Sequence, residues 1–229
     1  MNLKNDPNIA NIERIAQALG ELRNSVVLVG GAVVGILITD TNRPAARPTL
    51  DVDLVTKVSG RAEYYRVCEV LRKAGFKEND QVICRWTKDG VLVDLMPTDP
   101  TILGFSNRWH ELAMQTSIPM TLPSGLVLRH ISAPLFIASK LESFHDRGKG
   151  DYAHHDIEDI INLVDGKSDL NSELAQASAE VQLFIREEIE DLLLEPDFMA
   201  QIPWHLNPTA TEQDRSAIII GRLRSLAGL

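Results

Sequence analysis

The stretch "RPTLDVDLV", residues 47 to 55, constrains the chain more than any other, because it sets two carboxylates one residue apart in an apolar, β-forming run. Alternate side chains of a strand point to opposite faces, so Asp51 and Asp53 share one face and Leu50, Val52 and Leu54 the other. Two like charges are thereby held side by side. Without a cation between them such a pair resists ionisation and costs stability. The strand therefore implies a cation at Asp51 and Asp53 or, as the plainer alternative, a charged outer face on an edge strand.

Elements of both periods surround this strand. Asp6 and Pro7 read as a helix start, and Ile9, Ile12, Ile15, Leu19 and Leu22 follow on one helical stripe. "SVVLVGGAVVGILI" reads as a β-branched strand, the glycines Gly30 and Gly31, and an apolar buried helix. Pro44 and Pro48 mark a loop before Asp51. "RAEYYRVCEVLRKA" is helical and closed by Gly75, and "QVICRWT" and "VLVDLMP" flank "KDG" as a hairpin turning at Gly90. The second strand of that hairpin carries a third carboxylate, Asp94.

Two short strands are expected around Pro123 to Gly125. A helix through "LFIASKLESFHDR" follows, capped by Ser132, then a hinge at "GKGDYAHH" and a helix "DIEDIINLVDG" closed by Gly166. One long amphipathic helix is expected from Ser172, with Leu174, Ala177, Val181, Ile185, Ile189 and Leu192 on its stripe. The expected fold is α+β: a mixed sheet with flanking helices over residues 1–130 and a helical part over 131–229.

Composition narrows the partners. A net charge of −9 disfavours whole-surface binding to duplex phosphates. Cys68 and Cys84 are the two cysteines and lack metal-type spacing, which fits a reducing cytoplasm. No stretch approaches the roughly 20 apolar residues of a membrane span, so no membrane partner is expected.

If the strands bearing Asp51, Asp53 and Asp94 are neighbours, three carboxylates converge into an oxygen cage of the kind Mg²⁺ accepts alongside substrate phosphates. Two such ions about 3.5 to 4 Å apart clamp the oxygens of an in-line displacement at phosphorus. Gly30 and Gly31 would let backbone approach phosphates, although a strand-to-helix double glycine is also an ordinary tight turn.

The order "VLVGGAVVGILI", "RPTLDVDLV", "VLVDLMP" resembles the DNA polymerase β-like nucleotidyltransferase superfamily. "FIASKLESFHDRGKGDYAHHDIEDIINLV" looks like the helical region of the AbiEii/MenT-like toxin nucleotidyltransferases and their uncharacterised relatives. The resemblance covers roughly residues 25 to 165. It implies Mg²⁺, as two ions, held by Asp51, Asp53 and Asp94, with Asp94 drawing the proton from an incoming hydroxyl. It implies an NTP whose phosphates meet Gly30, Gly31, Lys140 and Arg147, and a site closed by Asp156 and Asp159. The implied activity is transfer of NMP from NTP to a hydroxyl of a tRNA 3′ end or a protein, with an antitoxin as a conceivable partner. Gly31 stands where many members carry Ser, and His155 where the toxins usually carry Lys or Arg. Two alternatives stand beside this reading. The acidic charge suits a small cationic acceptor of the aminoglycoside kind, and a catalytically inactive nucleotide-binding or interaction protein is the second. Lys140 and Arg147 also read as a solvated helix face, Asp94 as a hairpin charge, and Asp156 and Asp159 as first-turn acids favoured by the helix dipole. His154, His155 and Asp156 are successive, and on a regular helix would point apart.

Overall fold

The structure, a computed structural model, describes Leu3 and residues 6–43, 45–206 and 212–229. Pro44, one of the two expected loop prolines, lies outside the described residues. The chain forms two compact units, one of Asn2–Gly35 with Ala45–Ser132, the other of Ile36–Pro44 with Ala133–Leu229.

The first unit holds the sheet. Its strands are β1 (Val26–Val29), β2 (Asp51–Thr56), β3 (Lys77–Glu78), β4 (Arg85–Lys88), β5 (Val91–Pro97), β6 (Ile118–Thr121) and β7 (Val127–His130). Seven strands run in the order β3-β4-β5-β2-β1-β7-β6. β2 with β5 and β1 with β7 are parallel, and the other neighbours are antiparallel. The sheet is thus mixed, as expected. β2 stands at its centre, which removes the edge-strand explanation for Asp51 and Asp53.

One face of the central strands is core: Val52, Leu54, Trp86, Val93 and Leu95 are buried. Each such side chain contributes about 1.5–3 kcal/mol over leaving it in water. The other face of the same strands carries Asp51, Asp53, Arg85, Leu92, Asp94 and Met96, all partly exposed. Helices α1 (Ile9–Ala18), α2 (Val34–Leu37), α3 (Arg61–Lys73), α4 (Pro100–Leu103) and α5 (His110–Thr116) punctuate the strands. Tyr64 of α3 ties that helix to the sheet by donating its hydroxyl to the Leu95 carbonyl at 2.9 Å.

Several boundaries differ from expectation for local reasons. α1 begins at Ile9 with Asn8 at its cap, because the Asp6 carboxylate accepts the Asn8 N–H at 2.8 Å and makes a turn of its own. Leu22 falls in a 3₁₀ segment, Gly20–Ser25, after the helix has ended. After the glycines comes a 3₁₀ turn and then the four-residue α2 rather than a long buried helix. Strand β4 starts at Arg85 rather than Gln81, since the Asn79 side chain accepts the N–H groups of Gln81 and Val82 at 2.8 and 2.9 Å and holds them in a turn.

The second unit is helical: α6 (Ala133–Arg147), α7 (His155–Gly166), α8 (Leu170–Leu174), α9 (Ala179–Leu194), α10 (Pro196–Gln201) and α11 (Glu212–Ala227). Its core includes Phe136, Ile137, Leu141, Ile160, Ile161, Val164, Val181, Ile185, Ile189 and Leu223. The long helix expected from Ser172 is two helices. Ser178 accepts the Val181 N–H and starts α9 afresh, which takes Leu174 and Ala177 off its stripe. Gly166 ends α7 without a left-handed cap; a Cβ there would lie 2.7 Å from Ile38, and its carbonyl accepts the N–H groups of Thr39 and Asp40, both at 3.0 Å. No helix among the described residues is long and apolar enough to cross a membrane.

Candidate active site

Register assembles the cluster. In the β2–β5 ladder Asp53 stands opposite Asp94, and in the β1–β2 ladder Val29 stands opposite Asp53. Paired residues point to the same side, so Asp94 joins Asp53 and Asp51 on one face. Each of the three offers a carboxylate oxygen, and these oxygens lie within 4.8 Å of one another. The Asp51 side chain is 31% exposed and that of Asp94 13%, so the cluster is open to solvent without being loose on the surface.

The glycine turn belongs to this cluster. Gly30 follows Val29 and has φ +67°, a region that L side chains rarely adopt. A Cβ on Gly30 would lie 1.9 Å from the Asp53 Oδ2, so the carboxylate occupies the space a side chain would need. Two sequence signals twenty residues apart, the double glycine and the paired aspartates, are thus one contact. Gly31 is buried at the start of the 3₁₀ turn. The short α2 leaves little helix dipole there, so what the turn offers is backbone approach.

Sequence reasoning missed Arg85. Its Nε donates to Asp94 Oδ1 at 2.8 Å, and its Nη2 donates to Asp94 Oδ2 at 2.7 Å and Asp51 Oδ2 at 3.0 Å. These hydrogen bonds, the Asp94 ones foremost, hold the guanidinium above even its ordinary high pKa. A signal for it existed. Asp89 and Gly90 both have positive φ, making a two-residue turn, and counting outward from such a turn sets Arg85 opposite Asp94, as found. The cation demanded by the opening strand is therefore present in part: one guanidinium answers Asp51 and Asp94. Hard oxygen donors at this spacing fit Mg²⁺.

The remaining sequence-predicted residues gather in the helical unit. Lys140 donates to Asp156 Oδ1 at 2.9 Å and pairs with Asp159 Oδ2 at 2.7 Å. Arg147 grips Asp156 with both oxygens engaged, Nε to Oδ2 at 2.8 Å and Nη2 to Oδ1 at 2.7 Å. Two turns of α6 and one turn of α7 make the match, since Lys140 and Arg147 are seven apart and Asp156 and Asp159 three. The solvated-face alternative fails for Lys140, whose side chain is 7% exposed, but describes Arg147 at 53%. Burial alone would lower the Lys140 pKa, yet the charges of Asp159 and Asp156 raise it. Burial alone would raise that of Asp156, yet Arg147 and Lys140 hold it well below the usual carboxylate range. His154, His155 and Asp156 do bring ligand atoms within 4.8 Å of one another, contrary to the expectation from their succession. The reason is that His154 is outside the helix, where its Nδ1 caps α7 by accepting the Asp156 N–H at 3.2 Å. Both Asp156 oxygens there already serve Lys140 and Arg147.

No family model matches the chain, and no curated protein matches it either. Among solved structures, an antigenic nucleotidyltransferase-like protein from Paracoccidioides brasiliensis is similar, with a TM-score of 0.51 and 22% identity over 90% of this chain and 96% of that one. The likeness is one of fold: the α+β architecture expected from the sequence, a mixed sheet with flanking helices, is shared with a nucleotidyltransferase-like protein.

Proposed function

We propose that the chain is a Mg²⁺-dependent nucleotidyltransferase that moves an NMP group from an NTP to a hydroxyl and releases pyrophosphate. The observation that carries this reading is the β2–β5 register, which puts Asp94 beside Asp53 and so makes three carboxylates one donor set. Asp51, Asp53 and Asp94 would hold the metal. Bound there, Mg²⁺ supplies neutralisation of the triphosphate and of the charge that develops at the attacking and leaving oxygens. Asp94 is the candidate to accept the proton of the attacking hydroxyl. The Gly30–Gly31 turn would offer its backbone to phosphate oxygens, the space of a Gly30 Cβ being given over to Asp53. Catalysis of this kind rests on positioning and charge compensation.

The AbiEii/MenT-like resemblance supports a tRNA or protein acceptor and an antitoxin as partner, and the acidic surface supports a small cationic acceptor instead. In the helical unit, Lys140, Arg147, Asp156 and Asp159 keep their proposed place in nucleotide handling, with Arg147 the cation that solvent reaches and Lys140 the one that orients Asp156 and Asp159.

The test is labelling. Purified protein with each labelled NTP, Mg²⁺ and cell extract should give a labelled product that disappears with Asp53→Asn. Equal labelling by both proteins would overturn the assignment. One observation favours a second reading: Arg85 already answers two of the carboxylates, as it would in a protein that binds nucleotide without turnover. Calorimetric binding of NTP with no pyrophosphate released in any extract would decide for that reading.

A further inference from the structure

We propose that Arg85 is a built-in competitor of the divalent ion, a guanidinium latch that must leave Asp51 before metal can bridge Asp51 and Asp94. The inference rests on the metal-site reading above and adds a residue to it. Three carboxylates whose oxygens lie within 4.8 Å of one another repel, and Arg85 relieves that repulsion from within the chain. Its Nη2 stands 2.7 Å from Asp94 Oδ2 and 3.0 Å from Asp51 Oδ2. An ion bridging those same two oxygens would sit at about 2.0–2.1 Å from each. The two cations cannot occupy that place together. The second donor makes the exclusion stronger, because Nε holds Asp94 Oδ1 at 2.8 Å and leaves Asp94 with both oxygens engaged by one rigid fork. A carboxylate so held keeps a lone pair on each oxygen, but the side that faces Asp51 is closed to an ion until the fork rotates away.

Arg85 has somewhere to go. Its side chain is 26% exposed, and it belongs to β4, which flanks β5 on the side away from β2. Rotation about its side-chain bonds would carry the guanidinium off without moving the sheet. The arrangement keeps the ion-free protein ordered at the expense of metal affinity.

Two measurements test the latch, neither depending on turnover. In Mn²⁺ titrations followed by electron paramagnetic resonance, Arg85→Gln should bind Mn²⁺ about tenfold more tightly than the wild type, since a charge-assisted fork no longer competes. In the wild type, the Arg85 Nε–H resonance, assigned through its own side-chain carbons by triple-resonance NMR, should shift on addition of Mg²⁺. That second readout needs no substituted protein to fold. Equal or weaker Mn²⁺ binding by Arg85→Gln, or an Nε–H resonance unmoved at saturating Mg²⁺, overturns the latch. If in that case Asp53→Asn still abolishes Mn²⁺ binding, the metal site stands without it. Failure of both wild type and Arg85→Gln to bind Mn²⁺ removes the metal site and the latch together, whereas binding by Arg85→Gln alone supports the latch in its strongest form.

Discussion

The molecule contains two clusters of opposite charges, and they are built on opposite principles. On the sheet, Arg85 pairs with Asp51 and Asp94 in a partly exposed setting that Asp53 shares. Among the helices, Lys140 and Arg147 face Asp156 and Asp159, with both acids at 1% side-chain exposure or less. A buried network has much to lose in stability if one member goes, whatever part its exposed Arg147 takes in nucleotide handling. An open cluster of carboxylates this close together gains from a further cation. The contrast sorts residues that look alike in sequence into those whose loss should show first in chemistry and those whose loss should show first in stability.

The largest expected effect tests the first half of that division. Asp53→Asn should lower the rate of pyrophosphate release on the order of a thousandfold, as removal of a preorganised charge at the reacting centre does, while leaving the urea midpoint nearly unchanged. A variant that loses activity and stability equally would break the comparison. The second half is tested by Lys140→Met, which should cost about 4 kcal/mol in urea unfolding, because Asp159 and Asp156 would remain buried with that cation removed. If Lys140→Met instead unfolds like the wild type but raises KM for the NTP, Lys140 serves the triphosphate rather than the helices.

Acid sharpens the same contrast. Asp156 has a pKa lowered from 3.8, so the stability it contributes is present above that value and is lost only as pH falls below it. Lys140 is raised from 10.5, and its contribution is present below that value and lost as pH climbs above it. These two groups are therefore indifferent to pH across the neutral range, although His155 beside Asp156 has its pKa lowered from 6.5 by burial. The sheet unit is not. His110, at the start of α5, is 5% exposed, its Nδ1 has no hydrogen-bond partner among the described residues, and burial pulls its pKa from 6.5 to about 4. Below pH 6.5 the unfolded chain takes a proton that the folded one refuses. Stability should thus fall by up to about 3 kcal/mol between pH 6.5 and 4 and then level off. Urea titrations across that interval, with His110→Leu removing most of the slope, check it.

What the sequence made legible follows from the range of the physics involved. Alternation in "LDVDLV" and "VLVDLMP" is local, and it placed each carboxylate on the correct face of its strand. That the two strands are neighbours is a long-range fact, absent from either stretch, and only the superfamily resemblance supplied it. Arg85 was legible in principle from the turn at Asp89 and Gly90, but a lone arginine in a strand carries no pattern that asks for a partner. The break between α8 and α9 was hidden because Leu174 and Ala177 fit the helical stripe by spacing, and a single capping hydroxyl at Ser178 outweighed that fit. The Lys140 network was hidden for the opposite reason: an isolated helical lysine is ordinarily solvated, and its burial depends on the acids of α7.

The finest distinction concerns two glycines, each at a place where something else fills the position of a Cβ. On Gly30 the intruder is Asp53, with Oδ2 at 1.9 Å, and φ is +67°; on Gly166 it is Ile38, with Cγ1 at 2.7 Å, and φ is not left-handed. Gly30→Ala therefore combines backbone strain with a collision against a carboxylate that cannot retreat without leaving the cluster, and should cost about 2–3 kcal/mol together with Mn²⁺ binding. Gly166→Ala meets the branched end of an apolar side chain, and should cost about 1–2 kcal/mol with Mn²⁺ binding intact. Comparing the two variants by urea unfolding and Mn²⁺ titration separates a glycine required by the carboxylates from one required by packing. Were Gly30→Ala to bind Mn²⁺ as the wild type does, the close approach of Gly30 to Asp53 would be a matter of packing as well, and the glycine turn would lose its place in the site.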